Sequence, residues 1–144
     1  MKALLDTSVL VAGMIDSHPH HKTCISWLRK AVHREMKMVV ASHSLAEFYH
    51  VLTRYPSKPQ LSTGMVLNLI EDNIVGAAKV VSLSPKEYLA VIESLAKRGL
   101  GGGQIFDALI AKVAQVEKVD KLLTLNTSDF LRVWPDGKRA IQHP

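Results

Sequence analysis

The chemistry of this chain rests on four carboxylates set beside apolar runs. Asp6 follows Ala3-Leu4-Leu5 directly, and Glu47 follows Ser44-Leu45-Ala46. Asp107 lies inside Ile105-Phe106-Asp107-Ala108-Leu109, and Asp129 comes four residues after Leu125. Gathered at one place, such groups repel. Two unit charges about 4 Å apart cost roughly 4 kcal/mol at an effective dielectric near 20. A helix N-terminus returns only about 0.3–1 kcal/mol. The balance calls for protons or a cation. Donors that are all oxygen, without a cysteine or histidine cluster, select a hard ion, Mg2+ or Mn2+. On a chain of formal net charge +5, such an ion points to metal-assisted cleavage of a phosphodiester, the ion acidifying a water and offsetting charge on the phosphoryl oxygens.

Each acid also has a purely structural role open to it. Ser44-Leu45-Ala46-Glu47 fits a capping box. Asp107 could complement a helix dipole from the first turn. Asp129 could cap a helix before Phe130-Leu131. Asp6 is the hardest to explain this way, because Thr7 or Ser8 could cap the next helix without it. The chemical reading therefore depends on joint placement.

That placement follows from the elements. Residues 2–5, 36–41, 79–83 and 122–125 read as strands, with a short edge strand at 139–141. Helices are expected over 7–15, over 20–34 with Pro19 at its first position, over 44–54 and over 63–74. Ser84-Pro85-Lys86-Glu87 opens a further helix, closed by Gly99, and another covers 104–116. The alternation predicts one α/β domain over 1–144, a three-layer α/β/α sandwich with a mainly parallel central sheet. In such a sheet the strand C-termini and the following helix N-termini share one edge. All four acids would then meet at one mouth. Gly101–Gly103 could bring backbone amides to phosphate there, or could simply turn the chain.

Four blocks, in order, resemble the PIN domain, specifically the VapC-type toxin ribonucleases of bacteria and archaea. They are Leu4-Leu5-Asp6-Thr7-Ser8-Val9-Leu10-Val11, Ser44-Leu45-Ala46-Glu47-Phe48, Gly102-Gly103-Gln104-Ile105-Phe106-Asp107-Ala108-Leu109-Ile110-Ala111, and Leu122-Leu123-Thr124-Leu125-Asn126-Thr127-Ser128-Asp129-Phe130. The resemblance implies Mg2+- or Mn2+-dependent cleavage of single-stranded or loop RNA, leaving a 5′-phosphate and a 3′-hydroxyl. It implies Asp6 and Asp107 as metal ligands, Glu47 as a ligand or the group that orients the attacking water, and Asp129 as the fourth member of the catalytic acidic set. Thr7 or Ser8 and Thr124 would hydrogen-bond beside the metal. Many members carry an aspartate where this chain has Asn126, which offers a carbonyl oxygen without a charge, so the fourth carboxylate role passes to Asp129. The implied partners are RNA and a small antitoxin that enters the cleft, in a homodimer or a toxin–antitoxin hetero-oligomer. Met65, Val66 and Leu69 would contribute to pairing, unless they pack the core.

Two other readings stay open. One is a housekeeping PIN nuclease in RNA processing, without an antitoxin. The other is a Mg2+-binding phosphoacceptor domain of the receiver type. The latter wants an acidic pair at the first strand and a lysine ending a late strand, where this chain has Asp6 alone and Leu125-Asn126. Lys22, Arg29, Lys30, Arg34 and Lys37, with Lys112 and Arg132, are candidates to track phosphates near the mouth, although a solvated helix face explains most of them. Trp27 and Trp134 could stack on bases, with Trp27 expected in the core. His18-Pro19-His20-His21 is the sole histidine cluster, and without cysteines zinc is not expected. The single Cys24 excludes an intrachain disulfide and suits a reducing cytoplasm. Asp6 breaks the apolar run of a would-be export leader, and no run approaches the roughly 18 residues of a membrane span.

Overall fold

Ala3, Leu4 and Leu5 are all fully buried, as a strand covered on both faces requires. They belong to β1 (Lys2–Leu5), the middle of the sheet in a computed structural model that describes residues 1–144. The other strands are β2 (Lys37–Ala41), β3 (Ala78–Val81), β4 (Lys121–Leu123) and β5 (Ile141–Gln142). All neighbours pair in parallel, in the order β3-β2-β1-β4-β5. The register sets Lys2 beside Lys37 and Ala3 beside Lys121.

Two apolar layers flank the sheet. On one face, Ala3, Leu5, Met38 and Val40 pack on α1 (Thr7–Met14), α2 (His21–Val32) and α3 (Ser42–Arg54) through Val9, Leu10, Leu28, Phe48 and Leu52. On the other, Leu4, Val39 and Leu122 pack on α6 (Gln104–Val116) and α7 (Thr127–Val133) through Ile110, Val113 and Phe130. The α5 helix (Pro85–Lys97) then covers α6 through Val91, Leu95, Ala108 and Leu109. The architecture is the expected α/β/α sandwich, with a wholly parallel sheet.

Boundaries differ in informative ways. Pro19 does not start α2. It lies in a turn held by the His20 amide on His18 Nδ1 and the His21 amide on the His18 carbonyl. The α3 helix starts at Ser42, because the Ser42 hydroxyl is committed to the Val81 carbonyl and the Ser82 hydroxyl at the end of β3. Ser44 is thereby drawn inside the helix and buried, so the capping box with Glu47 does not form. Asp129 is likewise within the first turn of α7, with Asn126 at the cap position. The α4 helix (Thr63–Leu69) passes into a π-helical turn over Ile70–Val75. Its Val66 is fully buried, so of the three apolar residues assigned to pairing only Met65 is widely exposed. The α5 start forms as read, with both capping-box hydrogen bonds, and Gly99 takes the left-handed φ of +66° that ends it.

Candidate active site

The site begins where β1 ends. Asp6 adopts extended backbone (φ −68°, ψ 156°) and caps α1, its Oδ1 accepting from the Thr7 amide at 2.7 Å. Its Oδ2 accepts from Ser8 Oγ at 2.7 Å and from Thr124 Oγ1 at 2.9 Å. Thr124 follows β4, the strand beside β1, and its hydroxyl also accepts from the Asn126 amide at 3.0 Å. Ser8 Oγ accepts in turn from the Leu125 amide at 3.1 Å. One carboxylate therefore fixes both the start of α1 and the loop after β4. Asp6 is almost fully buried, and burial pushes its carboxyl above the usual carboxylate range although all these hydrogen bonds oppose the rise.

Glu47 reaches the same place from the second turn of α3, and Asp107 from the first turn of α6. Partial burial raises Glu47, and the charge of Asp6 raises it further. Asp107 is pushed up to about 6, by desolvation first and then by Asp6, Asp129 and Glu47 in that order. No hydrogen bond relieves Asp107, which sets it apart from Asp6. Asp6, Glu47 and Asp107 line one cleft of about 380 Å3, together with Thr7, Ser8 and Asn126. Asp129 is exposed and outside that lining, but its charge acts on Asp107 across the rim.

The expected basic residues are elsewhere. None of Lys22, Arg29, Lys30, Arg34, Lys37, Lys112 and Arg132 lines the cleft. Arg34 and Lys37 border a hollow with Lys2 and Lys79 at the starts of the strands, the opposite edge of the sheet. Gly101, Gly102 and Gly103 are exposed and also outside the lining. Trp27 is half-buried against the core, with Lys30 Nζ 4.4 Å from its ring centre.

Sequence reasoning missed two histidines. His18 lines the cleft, although its only signal in the sequence was membership of a histidine run. His43 stacks on Phe106, ring centres 4.8 Å apart and planes within 3°, and its Nε2 is 3.0 Å from Glu47 Oε1 without hydrogen-bond alignment. Only the i, i+4 spacing from Glu47 could have suggested that contact.

No three His, Cys, Asp or Glu side chains are drawn together tightly enough to enclose an ion. A hard divalent cation does not need that. Mg2+ keeps several waters and is held through one or two carboxylates. An open cleft of oxygen donors, its three carboxyls raised by burial and two of them, Glu47 and Asp107, also by neighbouring acids, fits such an ion. The cleft has no lysine, which removes the partner a phosphoacceptor domain would need.

Comparison with known proteins agrees with this geometry. Residues 3–133 match the PIN domain family. Ribonuclease VapC40 of Mycobacterium tuberculosis is 31% identical over 133 residues, which is 89% of this chain and 92% of the relative. Ribonuclease VapC27 of the same species is 30% identical over 116 residues, 81% and 79% of the two chains. The crystal structure of VapBC2 from Rickettsia felis, bound to a DNA fragment from their promoter, superposes with a TM-score of 0.67. It covers 100% of this chain and 99% of that one at 23% identity, a likeness of fold.

Proposed function

The chain belongs to the PIN domain family, and from that membership we propose that it is a metal-dependent endoribonuclease acting as the toxin of a toxin–antitoxin pair. The observation that carries this reading is the convergence of Asp6, Glu47 and Asp107, from three separate elements, on one cleft. The substrate class is single-stranded or loop RNA, and the work is done in the cytoplasm.

Asp6 and Asp107 would hold the cation, Mg2+ or Mn2+. When bound, it supplies positive charge where negative charge develops on the phosphoryl oxygens. The remaining chemistry belongs to the chain. Hydrogen bonds from Thr7, Ser8 and Thr124 lock Asp6 in place, with the two side-chain donors on Oδ2. Glu47, with its raised carboxyl, accepts a proton from the attacking water more readily than an ordinary glutamate. The water oxygen bonds to phosphorus as the P–O3′ bond breaks, and the departing 3′-oxygen takes a proton from solvent, leaving a 5′-phosphate and a 3′-hydroxyl. The Asn126 amide can donate to a phosphoryl oxygen without adding negative charge to the cleft. Asp129, outside the lining, acts through its field on Asp107.

A nuclease of this kind must be restrained in the cell that makes it. We assign that role to a small antitoxin protein occupying the cleft, and assign Met65 and Leu67, both about half exposed on α4, to pairing within a dimer or a hetero-oligomer. The test is induced expression of the wild type and Asp107→Asn, followed by mapping of RNA 5′ ends. New 5′-phosphate ends are expected with the wild type only, and purified protein should lose cleavage in EDTA and regain it with Mg2+ or Mn2+. Wild-type rates in Asp107→Asn would overturn the assignment.

A further inference from the structure

Two of the chain's three phenylalanines, Phe48 and Phe130, are fully buried, whereas Phe106 is 47% exposed. Its position is specific. It immediately precedes Asp107 in the first turn of α6, and its ring is covered on one face by His43 of α3 in a parallel, offset stack. His43 in turn lies against Glu47. The stacked pair thus ties together the two helices that deliver Glu47 and Asp107; neither ring lines the cleft, and the stack stands at its border through the contact of His43 with Glu47. The loop before α6 is itself open. Gly101, Gly102 and Gly103 are exposed, and a Cβ on any of them would meet no atom within 4 Å.

An aromatic ring braced on one side, open to solvent and at the border of the acidic cleft has the properties of a stacking platform. Nucleobases of single strands stack on such rings with little regard to sequence, because every base has a π-face. A phosphate would gain nothing from a neutral apolar ring. We propose that Phe106, with His43 behind it, receives a nucleobase flanking the scissile phosphate and so sets which phosphodiester of a single strand enters the cleft. This rests on the nuclease reading above. Phe106 is then a substrate-binding residue, and His43 a positioning residue that acts through it.

The test measures binding without turnover. In an Asp107→Asn background, fluorescence anisotropy follows a fluorescein-labelled ten-nucleotide oligoadenylate, and a set in which each base in turn is abasic. Phe106→Ala and Phe106→Leu should each weaken binding roughly 5- to 100-fold, and Phe106→Tyr should bind like the parent. One abasic position should cost affinity with Phe106 present and nothing with Phe106→Ala. In the active protein the same Ala and Leu changes should raise KM far more than they lower kcat, and Phe106→Tyr should restore it. Full affinity in a folded Phe106→Leu would overturn the platform, as would an abasic scan with no sensitive position. Unchanged RNA affinity with lost inhibition by a partner protein would also overturn it, assigning the ring to protein docking. The two readings fail separately. If the wild type cuts RNA with a KM indifferent to Phe106, only the platform falls. If it neither binds nor cuts RNA, the nuclease falls too.

Discussion

Asp6 and Asp107 carry the same functional group in opposite circumstances. Asp6 is deeply buried but accepts from Thr7, Ser8 and Thr124, so its ionised form has donors around it. Asp107 is partly buried, has no donor, and faces three other acids. Its rise from an ordinary 3.8 to about 6 means that the fold disfavours its charged form. The sign follows from linkage: the folded state holds the proton more tightly than the unfolded chain. The stability this confers is full below about pH 3.8 and is lost as pH rises towards 6. Asp107→Asn, close in size and uncharged, should therefore be more stable than the wild type above pH 6, by about 1–2 kcal/mol after allowing for solvent screening of a partly exposed group. The difference should vanish near pH 4. Urea melts at pH 4 and pH 7.5 check this, and a variant less stable at pH 7.5 would contradict the repulsion.

At the level of elements, the site depends on where helices start. The β1 strand hands directly to α1 at Asp6, whose side chain is the cap, so the strand end, the helix start and the acid are one residue. The α1 helix is held by close packing on α2. A Cβ on Gly13 would come within 2.4 Å of Leu28 Cδ1 and 3.4 Å of the Cys24 carbonyl carbon, and Leu28 is only 4% exposed, with little room to retreat. Gly13→Ala should accordingly cost about 1–3 kcal/mol in thermal unfolding, despite the better helix propensity of alanine. A neutral or stabilising result would mean that the two helices separate easily. The α3 helix gives the complementary lesson. Ser44 and Glu47 have the spacing of a cap, but Ser42 bonds to the end of β3 and the helix begins two residues earlier. Glu47 is left with no capping duty and turns to the cleft.

Across the whole molecule, charge is segregated. The acids collect at the strand ends, while Lys2, Arg34, Lys37 and Lys79 surround a hollow at the strand starts. Lys2 and Lys79 share Glu117, holding that carboxyl below its usual range, so this edge is partly neutralised internally. The acidic mouth has no lysine or arginine to neutralise it. A cation that binds only the folded protein adds stability by mass action. Millimolar MgCl2 should raise the Tm of the wild type at pH 7.5 beyond the effect of NaCl at equal ionic strength. The increment should shrink at pH 5, where protons occupy Asp107, and in Asp107→Asn at any pH. Equal shifts with both salts would show that the cleft does not bind the ion.

The alternation of apolar runs and amphipathic segments determined the sandwich, the strands to within a few residues, and the edge on which Asp6, Glu47 and Asp107 meet, because chain direction in a parallel sheet places every strand end on one side. The four motif blocks carried the family for the same reason, being local in sequence. Only the tertiary structure decided matters that depend on contacts between distant segments. These are the bond from Thr124 to Asp6, the exposure of Asp129 outside the cleft lining, and the placing of Arg34 and Lys37 at the opposite edge of the sheet. The bracing of Phe106 by His43 belongs with them, since 63 residues of chain separate rings that touch only after α3 and α6 have packed on the sheet.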